Sequence, residues 1–393
     1  MVSIILGIES TAHTFGVAIL KDTGKETIIL ANERATFTTE TGGMIPAKVA
    51  LHHEEQYHII LERALAKAKE KANITLKNIQ LIAVSNAPGL GHSLRIGMAA
   101  AKSLALELGI PLIGVNHCVA HLEIANLVTK AKDPVLLYCS GANTQVIAYD
   151  AGKYRVFGET LDTGVGNFLD TFARDLGLGF PGGPKIEQLA LNAIQQHNAS
   201  TIQENANTQQ NNATMQQNIT TTQHTTIRES TITQHPTTQS QHSRPTLIPL
   251  PYSIKGMDVA FAGLQTHLLQ KIKEGVAGGS YTKEDLAYSV QEHVFAMLVE
   301  VAERALAHVG KNELVLGGGV GCNKRLQEMC RIMCEERGAT FFCPANEFLV
   351  DNAAMIAWTG KLMHEKGNII IAIEELNIYP YERTDDVTVT WKE

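Results

Sequence analysis

Apolar positions along the chain fall into short runs broken by Gly, Ser, Thr and Asp, and these alternate with longer stretches of helical period. Ile4-Ile5-Leu6-Gly7-Ile8 reads as a strand and 15–20 as a second, with the polar turn Ser10-Thr11-Ala12-His13 between them and Asp22-Thr23-Gly24 after them. The succession then returns: Val135-Leu136-Leu137-Tyr138, the turn Ser140-Gly141-Ala142-Asn143, the run 146–149, and Asp150-Ala151-Gly152. Strand, small turn, strand and D-x-G is a hairpin signature. Two copies, each opening a region of similar size, predict duplicated lobes, with two unrelated hairpins as the alternative. Gly and hydroxyl residues in such turns let backbone N–H groups face phosphate oxygens. A third segment has the same character. Glu313-Leu314-Val315-Leu316 reads as a buried strand, Gly317-Gly318-Gly319-Val320-Gly321-Cys322-Asn323 as a loop, and 324–336 as a helix. A strand, a glycine run and a helix N-terminus form a ready anion or nucleotide site. No G-x-x-x-x-G-K-[ST] occurs, and the G-x-G-x-x-G spacing of a Rossmann unit is missing.

The pattern fails in one tract. From Gln195 to Arg244, Thr, Gln and Asn make up 29 of 50 residues, with scarcely any large apolar side chain. Such a composition cannot bury enough surface to offset its ordering entropy, so 195–247 is expected to be a disordered surface insertion. Elsewhere 393 residues, 44% apolar, suffice for two cores. The six cysteines form no CxxC pair, so neither a zinc ribbon nor a redox motif is signalled. The opening residues read as a strand and not as a signal peptide, and no apolar run approaches the roughly 20 residues of a membrane helix. A cytoplasmic protein with no membrane association is expected. A net charge of −7 argues against a strong basic face, and the densest basic run, Arg63, Lys67, Lys69, Lys71 and Lys77, is interleaved with Glu62 and Glu70. A nucleic-acid substrate would therefore need help from a partner.

Candidate chemistry concentrates at His117 and His121. If their segment is helical, i and i+4 put both imidazoles on one face, from which two nitrogens can reach one metal ion. Ordinary core or surface histidines would look the same. Asp351 sits where a helix begins, so it is either an N-cap or an anionic third ligand. Asp170 could bind a ribose hydroxyl or a metal-bound group, or cap its own helix. Phe180-Pro181-Gly182-Gly183 is a rigid turn leading to a helix start that carries Glu187.

Taken together, Gly7-Ile8-Glu9-Ser10-Thr11-Ala12-His13-Thr14, Asn116-His117-Cys118-Val119-Ala120-His121, Ser140-Gly141-Ala142-Asn143-Thr144-Gln145, Asp162-Thr163-Gly164-Val165-Gly166-Asn167-Phe168-Leu169-Asp170, the Phe180 turn and the Gly317 loop resemble the tRNA N6-adenosine threonylcarbamoyltransferase family. The likeness is to its archaeal and eukaryotic branch, the catalytic subunit of the KEOPS complex. It spans nearly the whole chain apart from the Thr/Gln/Asn tract.

The resemblance implies an α/β fold of the actin, sugar-kinase and chaperone ATPase superfamily: two ribonuclease-H-like lobes around a nucleotide cleft. The first would take residues 1–130, joined by 351–393, and the second 131–350. It implies transfer of a threonylcarbamoyl group from threonylcarbamoyl-AMP to N6 of the adenosine 3′ of the anticodon. One divalent metal per subunit, iron ahead of zinc, would be held by His117, His121 and Asp351, with Tyr138 near or on it. Tyr138, Cys139, Ser140, Gly141, Ala142, Asp170, Gly183, Glu187 and Asn323 would line the adenylate or ATP site. ATP, tRNA, a small atypical kinase and a dimerising subunit are the implied ligands and partners. The donor is a mixed anhydride and already activated, so no side-chain nucleophile is expected.

The family's turn has a second glycine where Ala142 stands. If that position needs φ > 0 or close backbone approach, alanine would cost about 1 kcal/mol or more. Three other readings compete. A kinase or ATPase of the same fold would leave the paired histidines unexplained, and a scaffold that only binds is the second. A zinc peptidase lacks H-E-x-x-H, having no carboxylate between His117 and His121.

Overall fold

Strand β1 (Ser3–Glu9) runs antiparallel to β2 (Thr14–Asp22), which pairs with β3 (Thr27–Thr36). On its other side β1 pairs in parallel with β4 (Leu81–Ala87), and β4 with β5 (Leu112–Asn116), giving the order β3-β2-β1-β4-β5. Helices α1 (Pro46–Ala72) and α2 (Gly91–Leu108) make the crossovers, and α3 (His117–Val128) follows β5 without a break. This is a computed structural model, and it describes residues 3–40, 44–220, 245, 247–367 and 372–392, with 203–220 and 367 as backbone only.

The second half repeats the plan. It contains β6 (Val135–Cys139), β7 (Thr144–Asp150), β8 (Lys153–Glu159), α4 (Val165–Asp175) and α5 (Gly183–Thr220). A short ribbon of β9 (Ile254–Lys255) and β10 (Asp258–Val259) follows, then α6 (Ala262–Lys271), α7 (Lys283–Val309), β11 (Glu313–Gly317), α8 (Lys324–Glu336), β12 (Thr340–Phe342), α9 (Asn346–Leu349) and α10 (Ala353–Gly367). The second sheet has the order β12-β11-β6-β7-β8, which is β8-β7-β6-β11-β12 read from the other edge. Two antiparallel pairs followed by two parallel pairs, in the same succession, make each half a ribonuclease-H-like unit. The pair is the actin-like ATPase fold, and the duplicated hairpins seen in the sequence are its two opening hairpins. The second D-x-G turn closes Asp150 onto Lys153 with Ala151 at φ 48° and Gly152 at φ 82°, the double left-handed geometry of a type I′ turn.

Alternation along β1 explains the layering. Ile4, Leu6 and Ile8 join α1 and α2 in one core, while Ile5 faces Ala120 and Ile124 of α3 and Ala353 to Ala357 of α10. Gly7 is glycine because α10 lies directly on the strand, where a Cβ would fall 2.3 Å from the Ala353 carbonyl oxygen. The last helix of the chain thus returns to cover the first sheet. Beyond it, Leu376 packs in the first core, whereas Trp391, Val387 and Val389 pack with Tyr138, Ile147 and Tyr154 against the second sheet. The segment expected to join the first lobe is therefore shared between both.

Helix α5 continues to Thr220, well past the composition boundary at Gln195. Once its apolar first turns are packed against Tyr288, each further residue adds a hydrogen bond without a new nucleation cost. The remainder of the Thr/Gln/Asn tract, 221–244, lies outside the described residues.

Candidate metal and nucleotide site

Asn116 ends β5 and caps α3, its Oδ1 accepting from the N–H groups of Cys118 (3.1 Å) and Val119 (3.3 Å). That cap puts His117 in the first turn of α3 and His121 one turn on. Both are buried, 5% and 1% exposed, with ring centroids 4.8 Å apart. Asp351 precedes α10, but it is not the cap. Asn352 takes that role, accepting from Met355 N–H at 3.1 Å, because either residue type can cap and the helix starts one residue later than the sequence suggests. Asp351 is thereby left free, with Oδ1 3.4 Å from His117 Nε2 and 3.7 Å from His121 Nε2. One ligand atom from each of the three residues lies within 4.8 Å of the others.

The surroundings complete the set. Glu9, at the end of β1, places Oε2 3.0 Å from His117 Nδ1 and accepts from the Thr11 hydroxyl and N–H. Thr11 Oγ1 is itself 3.1 Å from the same ring nitrogen. Tyr138, near the end of β6, sets its hydroxyl 3.0 Å from His117 Nε2 and its ring 4.9 Å from that of His121. A carboxylate on the far nitrogen of a histidine fixes its tautomer and orients it, which is the usual support for a metal-ligating imidazole. Both nitrogens of His121 are buried without a hydrogen-bond partner. Such a group is costly unless something occupies its lone pair.

Electrostatics point the same way. Burial pulls the His117 imidazole down, but Glu9 and Asp351 outweigh it and hold it well above the usual histidine value. Burial lowers His121, against the pull of Asp351, and so favours its neutral form. Burial would raise the Asp351 carboxyl, yet the two imidazoles hold it well below the usual carboxylate range. Two histidines and one carboxylate, with Glu9 behind, match the donor sets of open iron and zinc sites.

The proposed nucleotide residues form a second group beside the first. In the turn between β6 and β7, Ser140 N–H donates to Asn143 O (2.9 Å). The first N–H groups of α4, from Gly166 and Asn167, donate to the carbonyls of Ser140 and Gly141, both at 3.0 Å. A Cβ on Gly318 would fall 2.3 Å from the Cys139 carbonyl oxygen, and one on Gly164 2.3 Å from that of Gly141. These glycines thus permit backbone to pack on backbone, whereas the space around Gly183 and Gly319 is open. Asp170 Oδ1 accepts from Gly182 N–H at 2.6 Å, Glu187 from Lys324 N–H at 2.9 Å, and Asn323 caps α8 while donating to Gln291. Asp170, Gly183, Glu187 and Asn323 therefore share one rim with the turn. The side chains of Asp170, Glu187 and Asn323 hold the N-termini of α5 and α8 in place. Burial raises the Asp170 carboxyl, against the Gly182 N–H and the nearby His13.

Two expectations change. Cys139 turns its side chain into the core of the second half, so only its backbone reaches this rim. Ala142 is exposed, and positive φ occurs only at Asn73 and Ala151 among the described non-glycine residues. The backbone at Ala142 therefore carries no left-handed strain.

Glu9, Thr11 and His13 were not among the residues selected from sequence, although all three lie in the first hairpin. His13 stacks edge-on with Phe180 (5.3 Å, 84°), which opens the turn whose Gly182 N–H bonds Asp170. The likeness of the His13 turn to 140–143 and its place in the Gly7–Thr14 motif were the signals that pointed to it. Glu123 is no peptidase base, because its side chain is 2% exposed and is taken up by Tyr154, Trp391 and Lys392. A 740 Å³ cavity bordered by Asp22 and Lys361 contains none of these residues, and Lys361 is already paired with Asp22 and Glu365.

Comparison with known proteins adds an independent finding. The family described as tRNA N6-adenosine threonylcarbamoyltransferase matches over residues 28–236 and 198–358. The chain is 45% identical over 388 residues to the protein of that name from Thermococcus kodakarensis, covering 99% of each. It is 42% identical over 387 residues to the one from Methanococcoides burtonii, covering 98% of this chain and 97% of the other. A probable bifunctional tRNA threonylcarbamoyladenosine biosynthesis protein from Methanosarcina acetivorans is 46% identical over 387 residues, and there the match spans 98% of this chain but 59% of the relative.

Proposed function

We propose, since this chain belongs to the tRNA N6-adenosine threonylcarbamoyltransferase family, that it transfers the threonylcarbamoyl group of threonylcarbamoyl-AMP to N6 of the adenosine 3′ of the anticodon by a metal-assisted reaction in the cleft. The observation that carries the metal is His121, buried with both nitrogens unpartnered and aligned with His117 and Asp351. These three residues would hold one divalent ion, iron or zinc, with Tyr138 beside it. When bound, the ion supplies positive charge that polarises the acyl oxygen.

The remaining work falls to the chain. Glu9 and Thr11 hold His117 Nδ1, so that Nε2 faces Asp351. The turn at Ser140, Gly141 and Ala142, with Gly183, Glu187 and Asn323 on the same rim, receives the AMP portion beside the N-termini of α5 and α8, whose helix dipoles favour an anion. The donor carries its own leaving group. The N6–carbon bond forms as the carbon–oxygen bond to phosphate breaks, and the amine proton leaves with the phosphate. Orientation of a weak nucleophile against the acyl carbon is then the main contribution, and for well-placed partners it is worth several kcal/mol, up to roughly 10. ATP would occupy the same rim.

The chain would act in a KEOPS-like complex with a small atypical kinase and a dimerising subunit. An acidic chain that modifies tRNA supports partners supplying part of the affinity, and so does a relative called bifunctional that extends beyond the matched length. The test supplies threonylcarbamoyl-AMP and cognate tRNA to the assembled complex and reads modified adenosine by mass spectrometry. Absence of product with a full partner set refutes the reading.

A further inference from the structure

We propose that Tyr381 and Arg95 form a stacking platform for an unpaired base of the substrate tRNA loop, next to the adenosine that enters the metal site. This rests on the reading that tRNA is the substrate. Tyr381 is 95% exposed, although tyrosine ordinarily buries most of its ring. The exposure does not come from a loose segment. Tyr379 N–H donates to Asn86 O (2.7 Å), and Pro380 O accepts from Gly89 N–H (3.2 Å). Glu382 Oε2 accepts from Asn116 Nδ2 (2.9 Å), and buried Thr384 bonds Gln145 (3.1 Å). The backbone is pinned on both sides of a ring that stands out in water.

The pins also locate it. Asn116, held by Glu382, is the cap immediately before His117. Leu90, beside the Gly89 that holds Pro380, donates to Thr11 O (2.8 Å), and Thr11 touches His117. Tyr381 is therefore tethered to the metal group by two short independent routes. Arg95 joins it there: its Nη1 and the Pro380 ring lie 3.8 Å and 3.7 Å from one point, the position a Cβ on Gly91 would take. Arg383, two residues after Tyr381, is committed to Glu159 and Asp385. Arg95 makes no ion pair among the described residues, and exposed His92 lies beside it.

An uncommitted cation beside the pinned segment that carries an uncommitted aromatic is the chemistry that recognises a splayed RNA loop. The ring takes a base face and the guanidinium a phosphate. To present N6 to the cleft, the target adenosine must leave its stack, and the base beside it then loses a neighbour. Tyr381 replaces that neighbour.

The experiment uses the full complex, with tRNA and threonylcarbamoyl-AMP varied separately. Tyr381→Ala should raise the KM for tRNA about tenfold or more, with the KM for donor and the metal content unchanged. Tyr381→Phe and Tyr381→Trp should restore it. Arg95→Ala should weaken tRNA binding and reduce the slope of log affinity against log salt by about one. An unchanged tRNA KM in Tyr381→Ala overturns the platform, as does a phenylalanine variant no better than alanine. So does loss of complex assembly on size exclusion, which would make this a protein-docking residue. Wild-type complex that yields no modified adenosine refutes the function itself, whereas active wild type with an indifferent Tyr381→Ala refutes only the platform.

Discussion

At the scale of single residues, His53 turns burial into pH dependence. It is fully buried on α1 against Phe15, and burial, with His52 beside it, lowers its pKa to about 4. As pH falls below about 6.5 the unfolded chain binds a proton there that the folded chain refuses. Stability is therefore complete above that pH, declines between about 6.5 and 4, and is level below. At about 1.4 kcal/mol per pH unit, the loss over those roughly 2.5 units comes to about 3.5 kcal/mol. Urea midpoints at pH 7 and pH 4.5 should separate in the wild type and converge in His53→Gln. Glu9→Gln tests the support of His117: metal affinity should fall 10- to 100-fold, while the circular dichroism spectrum is unaltered. Ala142→Gly should leave turnover unchanged, since the backbone there carries no left-handed strain; a rise of fivefold or more would contradict that. The sequence showed His117, His121 and Asp351 because helical spacing and motif make them visible. Glu9 stayed hidden because it reaches His117 from another strand, 108 positions away, and no local pattern encodes that distance.

At the scale of elements, α10 matters most. Its approach to the first sheet depends on Gly7 and on Gly360, where a Cβ would fall 2.4 Å from that of Ala83. Gly7→Ala should force the helix outward, cost about 1–3 kcal/mol in a thermal melt, and weaken metal binding, because Asp351 stands at the head of α10. A variant that melts early yet retains full metal affinity would show the helix start to be anchored independently. The hairpins were legible at this scale because D-x-G turns and period-two runs are local. The path of α10 was not, since a helical pattern states which face is apolar and not which sheet receives it. The choice between cap and ligand at Asp351 stayed open for the same reason: the residues that decide the helix start are adjacent and chemically alike.

At the scale of the whole molecule, residues 376–391 tie the halves together. They run from Leu376 in the first core, past Glu382 on the α3 cap, to Trp391 against Tyr154 of the second sheet and Glu123 of α3. Trp391→Ala would remove a buried indole and leave the buried Glu123 carboxylate short of a donor. A loss of about 3 kcal/mol or more is expected, with one cooperative unfolding transition giving way to two as the halves uncouple. The layering has a further consequence, for synthesis. The helix that covers Ile5, Ala18, Leu20 and Ala83 comes after the entire second sheet in the chain. A ribosome adding roughly 5–20 residues per second needs about ten to fifty seconds to pass from β5 to α10. Through that interval the nascent first half keeps in water the part of that sheet face which α3 does not cover, so the protein's dependence on chaperones should be greatest before α10 emerges.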